Sequence, residues 1–197
     1  MSYSFILGLS SSFHQPKNDG TNACVFLALK IGEQISRASC GMQDLCSHVE
    51  KVIENYPILI NKHRDINRSY EITEACELLL EKNLIKNVTL ELKSKDLPLF
   101  SPEGMEEFHD TFGLQGVFLV TTPPYTFLVW KTKDDMRVVD THAVSKELGG
   151  NGNAIVISFQ DVKSGVTWIS KRLVSAGVKD SFQQIYCMKA DYSITNK

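Results

Sequence analysis

The sequence lacks the features that mark most secreted, membrane-spanning and nucleic-acid-binding proteins. Its five cysteines (Cys24, Cys40, Cys46, Cys76 and Cys187) include no Cys-x-x-Cys pair, which argues against a disulfide framework and against a zinc site. No run of Lys and Arg exceeds two residues, and 21 basic and 23 acidic residues give a net charge of −2. Nucleic acid is therefore not an expected partner.

The apolar stretch near the N-terminus, SFILGLSSSF at residues 4–13, has no basic residue before it and is too short to span a bilayer. We interpret it as an edge strand followed by a turn, and we expect no membrane partner. The unpaired cysteines favour a reducing compartment. A cytoplasmic location is expected, and a protein delivered into a host cytosol by a virus or an intracellular bacterium would look the same.

The composition is that of a folded globular protein. Of the 197 residues, 43% are hydrophobic and 22% are charged, close to the averages for soluble domains. The length favours one domain over residues 1–197. Its helical part is expected at about 20–112 and its sheet part at about 115–190.

Apolar spacing predicts four helices in the first part of the chain and one near the end. Cys24, Leu27, Ala28, Ile31 and Ile35 recur every three or four residues, which predicts a helix from about Asn22 to Ser36. Further helices are predicted in residues 41–63, ending before Pro57, in 70–86 with Ile72, Ala75, Leu79 and Leu80 facing the core, in 101–113 between the cap Ser101 and Gly113, and in 166–177.

Runs rich in Val, Phe, Thr and Ile replace the helical pattern after residue 114. Four such runs, at 115–122, 125–132, 136–143 and 154–159, are separated by turn-forming residues and predict an antiparallel meander. The segment 181–191 is predicted to return as an edge strand. Helices followed by a sheet define an α+β domain.

Cys24 lies where a helix begins, directly after the turn sequence Gly20-Thr21-Asn22. Unpaired backbone N–H groups and the positive end of the helix dipole both favour a thiolate there. This placement suits a nucleophile, whereas a buried packing role is the alternative.

Asp140 and His142 are two residues apart on a predicted strand, so their side chains should share one face with Cα atoms about 6.5–7 Å apart. A carboxylate at that position can hold the Nδ1 proton of the imidazole and leave Nε2 facing a nucleophile. Gln15, nine residues before Cys24, has a side-chain amide that can donate to an oxyanion together with the backbone N–H of Cys24. Taken together, these residues suggest the layout of papain-like cysteine peptidases, a helical part packed on an antiparallel sheet with the site between them.

The chain resembles a known family at these same residues. The pattern HQ followed by GTNAC at a helix start, with VVDTH before a Gly-rich turn and GNAIVISF, is similar to the herpesvirus tegument deubiquitinases and their non-herpesviral relatives, the viral-tegument-like deubiquitinases. Ala23 stands where that family commonly has Gln, and residues 40–112 match nothing in it. Because of these departures, the resemblance does not indicate which ubiquitin chain linkage is preferred.

The resemblance implies a deubiquitinase that acts on ubiquitin or polyubiquitin chains and needs no cofactor or metal. It implies that Cys24 is the nucleophile, that His142 and Asp140 complete a triad, and that Gln15 helps to form the oxyanion hole. A Gly-Gly tail needs a narrow cleft, and Asn22 and Trp130 are the candidate substrate-binding residues.

Two other functions fit the same residues. An acyl or amide transferase also uses Cys, His and Asp, although in those families the Asp usually follows the His by a longer interval. A non-catalytic modifier-binding domain fits if Cys24 is unreactive. The sequence gives no indication of oligomeric state.

Overall fold

The computed structural model describes residues 2–8, 19–37, 41–94, 98, 100–178 and 183–190. Within these residues the chain forms five α-helices and seven β-strands. In chain order they are β1 (Ser2–Ile6), α1 (Cys24–Arg37), α2 (Met42–Ile60), α3 (Ile72–Glu81), β2 (Val88–Leu92), α4 (Pro102–Gly113), β3 (Gly116–Thr122), β4 (Tyr125–Lys131), β5 (Met136–Asp140), β6 (Ile155–Phe159), α5 (Val162–Ser175) and β7 (Gln184–Ala190). None of the helices described is both long and apolar enough to cross a membrane.

All seven strands join one antiparallel sheet, in the order β1-β6-β5-β4-β3-β7-β2. The sheet separates two hydrophobic cores. One core lies between the sheet and helices α1, α2 and α3, and the other is shared with α4 and α5. The prediction of a mixed structure with helices packed on an antiparallel sheet is confirmed.

Helix α1 is central to the first core. Its predicted stripe of Cys24, Leu27, Ala28, Ile31 and Ile35 is buried, as are most of the residues between them. The helix crosses β3, β4 and β7 and approaches closely at Gly32, where an added Cβ would lie 2.7 Å from the Sδ atom of Met188. This close packing fixes the first residue of α1, Cys24, relative to the sheet.

Most other local predictions are confirmed. The hydroxyl of Ser101 accepts a hydrogen bond from the N–H of Gly104 at 3.0 Å, as expected for a helix cap. Strands β3 to β6 form the predicted meander, and residues 123–124 form the turn between β3 and β4. Strand β1 lies at one edge of the sheet, as predicted.

Three predictions were wrong, and one strand was missed. Helix α2 runs through Pro57 to Ile60, and both residues are buried, so core packing offsets the backbone hydrogen bond that the proline removes. Leu80 is 36% exposed rather than core-facing. Strand β7 is not an edge strand, because β2, a five-residue strand that the sequence pattern did not reveal, pairs with its outer side.

The Gly-rich turn after β5 depends on Gly150. An added Cβ at this position would lie 2.3 Å from the carbonyl oxygen of Val144, and a backbone atom cannot move aside as a flexible side chain can. The N–H of Val144 also donates to the carbonyl of Asn153 at 3.0 Å, so the two sides of the turn are already tied together. The turn therefore constrains the chain two residues after His142.

We expect Gly150→Ala to lower the free energy of unfolding by about 1–3 kcal/mol, the usual cost of overpacking a close contact. Gly113→Ala is the matched control, since an added Cβ there meets nothing within 4 Å, and alanine favours the helix. Urea unfolding followed by circular dichroism measures both. Equal stability of the two variants would contradict the prediction.

Candidate active site

Three parts of the fold meet at one end of the sheet. Helix α1 begins there with Cys24, the turn between β3 and β4 lies against it, and β5 ends there at Asp140. The thiol of Cys24 donates to the carbonyl oxygen of Pro124 in that turn, at 3.7 Å. The helical side and the sheet thus contribute neighbouring groups to the same place.

The turn that precedes Cys24 is anchored to the segment after α2. The side-chain amide of Asn22 donates to the carbonyl of Ile66 at 3.1 Å. The carbonyl of Asp19 accepts from the amide of Asn61 at 2.8 Å and from the guanidinium of Arg64 at 3.3 Å. Asn22 itself has φ of 52°, a left-handed conformation that asparagine tolerates. These bonds hold the start of α1, and with it the thiol.

Cys24 and His142 each shift the pKa of the other. Burial alone would raise the pKa of Cys24, but a hydrogen bond and charge attraction from His142, joined by donors of Thr126, lower it below its usual value. Burial alone would lower the pKa of His142, but the neighbouring Asp140 and Cys24 raise it to about 10. Both shifts favour a thiolate beside an imidazolium.

Asp140 holds the imidazole, although β5 ends at this residue and His142 lies beyond the strand. The ring Nδ1–H of His142 donates to Oδ1 of Asp140 at 2.6 Å, and the backbone N–H of His142 donates to the same oxygen at 2.9 Å. The second bond closes a local turn around the aspartate side chain. Two bonds to one oxygen fix both the backbone and the ring of His142.

The other oxygen of Asp140 is bound by Arg172 of α5, a residue that the sequence analysis did not identify. Nε of Arg172 donates to Oδ2 of Asp140 at 2.7 Å. Asp140 is fully buried and Arg172 is 6% exposed. Burial would raise the pKa of Asp140, but the charges of His142 and Arg172 and the hydrogen bonds from His142 lower it. The carboxylate therefore stays ionised between two cations.

A cleft of about 590 Å³ opens beside the thiol. Its walls are the start of α1 with Cys24, residues 69–71 before α3, the turn at 123–124 and the first residue of β7. Among the described residues no group of three or more His, Cys, Asp or Glu side chains is placed to hold a metal ion. A thiol at the base of such a cleft can reach an extended chain that enters between the two walls.

The predicted substrate-binding residues have different positions. Asn22 lines the cleft, with its amide group engaged by Ile66. Trp130 is not among the residues that line it. This tryptophan lies four residues along β4 from Thr126, partly buried against the first core, with the guanidinium of Arg137 4.5 Å from its ring centre. Its packing places it outside the walls of this cleft, and its role in substrate binding stays a prediction. Gln15 lies outside the described residues.

Two residues that the sequence analysis did not identify, Arg172 and Thr126, do leave a signal in the sequence pattern. Arg172 lies three residues after Ile169 and six after Val166, on the buried stripe of α5, and an arginine on an apolar stripe needs a buried partner. Thr126 alternates with the core residues Phe127 and Val129 on β4, so it faces the α1 side. Neither signal identifies its partner, because the partners are distant in sequence.

Comparison with solved structures identifies a similar fold. The chain matches the ubiquitin-specific protease encoded by the murine cytomegalovirus tegument protein M48, solved in complex with a ubiquitin-based suicide substrate, with a TM-score of 0.59 and 12% identity. The match covers 99% of this chain and 90% of the viral one. The two chains share a fold. No protein-family model matches the sequence, and no curated protein matches it significantly.

The pKa shifts predict how the thiol reacts with pH. The rate at which iodoacetamide alkylates Cys24 should reach half of its maximum below pH 9, because the pKa of this thiol is lowered and the His142 imidazolium beside it persists to about pH 10. An ordinary thiol of pKa 9 loses about tenfold in thiolate for each pH unit below 9.

Peptide mass spectrometry of timed alkylation measures this rate, with Cys46 and Cys76 as internal controls whose pKa is raised to about 11. A half-maximal rate for Cys24 at pH 9 or above would contradict the pairing with His142.

Proposed function

We propose that this protein is a deubiquitinating cysteine isopeptidase that hydrolyses the bond after the C-terminal glycine of ubiquitin. The observation that supports the proposal is the hydrogen bond from Nδ1–H of His142 to Asp140, with Cys24 close enough to His142 for each to shift the pKa of the other and lining a cleft, in a fold similar to that of a viral ubiquitin-specific protease. We extend the proposal to a papain-like architecture and to the viral-tegument-like class of deubiquitinases. The proposed place of action is the cytosol.

In the proposed reaction, the thiolate of Cys24 attacks the carbonyl carbon of the terminal glycine. The backbone N–H of Cys24 is free to donate to the oxyanion, because the first N–H groups of a helix have no partner within the helix. Gln15 is proposed as the second donor. The imidazolium of His142 then gives its proton to the departing lysine amine, and the C–N bond breaks to leave a thioester.

The second half of the reaction releases ubiquitin. The neutral His142 takes a proton from water as the oxygen attacks the thioester carbonyl, and the C–S bond breaks to regenerate the thiolate. Asp140 accepts the hydrogen bond from Nδ1–H of the ring throughout, which leaves Nε2 as the nitrogen that transfers protons. The two steps need no cofactor.

Intact mass after incubation with ubiquitin that carries a C-terminal alkyne warhead tests this proposal. We expect a one-to-one adduct on the wild-type protein and none on Cys24→Ala, whereas Cys46→Ala should react as the wild type does. Parallel probes made from ubiquitin-like modifiers identify the modifier. A folded protein that forms no adduct with any probe would contradict the proposal and favour the transferase or the binding domain.

A further inference from the structure

Arg172 makes three contacts, all of them with groups that surround His142. Besides its bond to Oδ2 of Asp140, its Nη2 donates to the carbonyl of Ala143 at 3.3 Å. Its guanidinium also lies 5.6 Å from the ring centre of Tyr125. Tyr125 in turn meets the ring of His142 edge-on, with ring centres 5.1 Å apart. The Arg172 side chain therefore contacts Asp140, two residues before His142, and Ala143, one residue after it. It also lies near the Tyr125 ring that packs on the imidazole.

We propose that Arg172 is a positioning residue, which fixes Asp140 and the backbone after His142 so that the imidazole is aimed at Cys24. The role in turnover rests on the proposed function, whereas the role in holding the thiol and imidazole together can be tested without it. Nothing in the resemblance of the sequence to tegument deubiquitinases bears on this residue.

The geometry supports this role because the two oxygens of the Asp140 carboxylate bind different partners. Oδ1 of Asp140 accepts both bonds from His142, and Oδ2 is bound by Arg172 alone among the contacts of the described residues. A carboxylate held at only one oxygen can rotate about its χ2 bond, which has a broad torsional minimum. With Oδ2 fixed from α5, Oδ1 stays directed at the ring.

The bond to Ala143 adds a second constraint. Asp140 precedes His142 by two residues and Ala143 follows it by one, so Arg172 ties both ends of the short segment that carries the imidazole. A purely stabilising ion pair would need neither this carbonyl nor this location, and buried ion pairs are weak contributors to stability in any case. The arrangement is more consistent with positioning than with stability alone.

The charges around the site form a row in which each neighbour has the opposite sign. The row consists of the Cys24 thiolate, the His142 imidazolium, the Asp140 carboxylate and the Arg172 guanidinium. From the other packed elements, Arg64 interacts with the Cys24 charge, and Glu71 lines the cleft. Removal of Arg172 frees the carboxylate that holds the imidazolium beside Cys24, so the thiolate loses part of its charge compensation and becomes harder to form.

The test compares Arg172→Gln and Arg172→Lys with Lys171→Gln, which removes the same charge from the neighbouring, exposed position of α5. The midpoint of the pH profile of Cys24 alkylation should rise by about one unit in Arg172→Gln, so that the rate below the midpoint falls about tenfold. The rate should change less than threefold in Arg172→Lys, which keeps the charge, and not at all in Lys171→Gln.

With a fluorogenic amide of ubiquitin as the substrate, kcat of Arg172→Gln should fall about 10²-fold with KM within threefold, as expected when a reacting group is misplaced by about 1 Å. In an Asp140→Asn background, Arg172→Gln should lower kcat less than tenfold, because the carboxylate that Arg172 binds is already absent. Arg172→Lys, which cannot reach both Asp140 and Ala143, should lose about tenfold in kcat.

Wild-type alkylation and kcat in a folded Arg172→Gln would overturn the proposal, as would equal losses in Arg172→Gln and Lys171→Gln. Where Arg172→Gln does not fold, Arg172→Lys decides, and a wild-type kcat in that variant would also overturn it. If the wild-type protein hydrolyses no ubiquitin substrate, the proposed function fails, and the alkylation profiles still decide the role of Arg172.

Discussion

Cys24→Ala is expected to abolish hydrolysis after the ubiquitin C-terminus while the fold and the binding of ubiquitin persist. Removal of the nucleophile from an enzyme with an otherwise complete triad costs about 10⁶-fold in kcat. No other cysteine in the described residues lies beside His142, and those with a resolved shift have a raised pKa. No other cysteine of the described residues is therefore placed to form the thioester in place of Cys24.

The stability of this variant should change little, because Cys24 lines the cleft and alanine removes a single sulfur atom. A loss of about 1 kcal/mol would lower Tm by about 2–4 °C for a domain of this size. Turnover of the fluorogenic amide measures the activity, and fluorescence anisotropy of labelled ubiquitin measures the binding. Cys46→Ala is the control for removal of a thiol. Residual activity above about 1% of wild type would exclude Cys24 as the nucleophile.

Asp140→Asn is expected to reduce kcat by on the order of 10⁴, as the equivalent change does in other triads. An amide has no negative charge to raise the pKa of His142, so both the imidazolium and the thiolate beside it are lost. The amide also no longer favours the tautomer of His142 that carries its proton on Nδ1. The loss should therefore appear in kcat and in the alkylation rate of Cys24 at pH 6.

This variant also leaves the guanidinium of Arg172 buried without a carboxylate. Removal of one partner from a buried ion pair costs about 3–5 kcal/mol, so rates should be compared at a temperature where circular dichroism shows both proteins folded. Asp134→Asn, an exposed change in the turn before β5, is the matched control. A wild-type kcat in Asp140→Asn would mean that another group orients His142.

Features of the fold that depend on near neighbours could be predicted from the sequence. The spacing of apolar residues predicts the buried stripe of α1, and Ser101 with Pro102 predicts the start of α4. Asp140 and His142 could also be paired because they are two residues apart, although a turn around the aspartate side chain joins them rather than a shared strand face. In each case the interacting groups lie only a few residues apart.

Features that depend on distant segments could not be predicted in this way. The bond between Asp140 and Arg172 joins residues 32 positions apart, so the place of Arg172 on the apolar stripe of α5 indicates a buried partner without identifying it. Strand β7 becomes an interior strand only because β2, almost 100 residues earlier, pairs with it. Trp130 is a candidate for the cleft because it lies on the strand before Asp140, whereas its side chain packs against the first core and Arg137.

The two parts of the candidate triad belong to different layers of the fold. Asp140, His142 and Arg172 belong to the sheet and the helix on its far side, and hydrogen bonds join them. Cys24 belongs to the opposite layer, where the turn before it is tied to the connector between α2 and α3. The distance between the sulfur and the imidazole therefore depends on how α1 packs on the sheet. A larger side chain at Gly32, far from the site, could lower the reactivity of the thiol without disturbing the bond between His142 and Asp140.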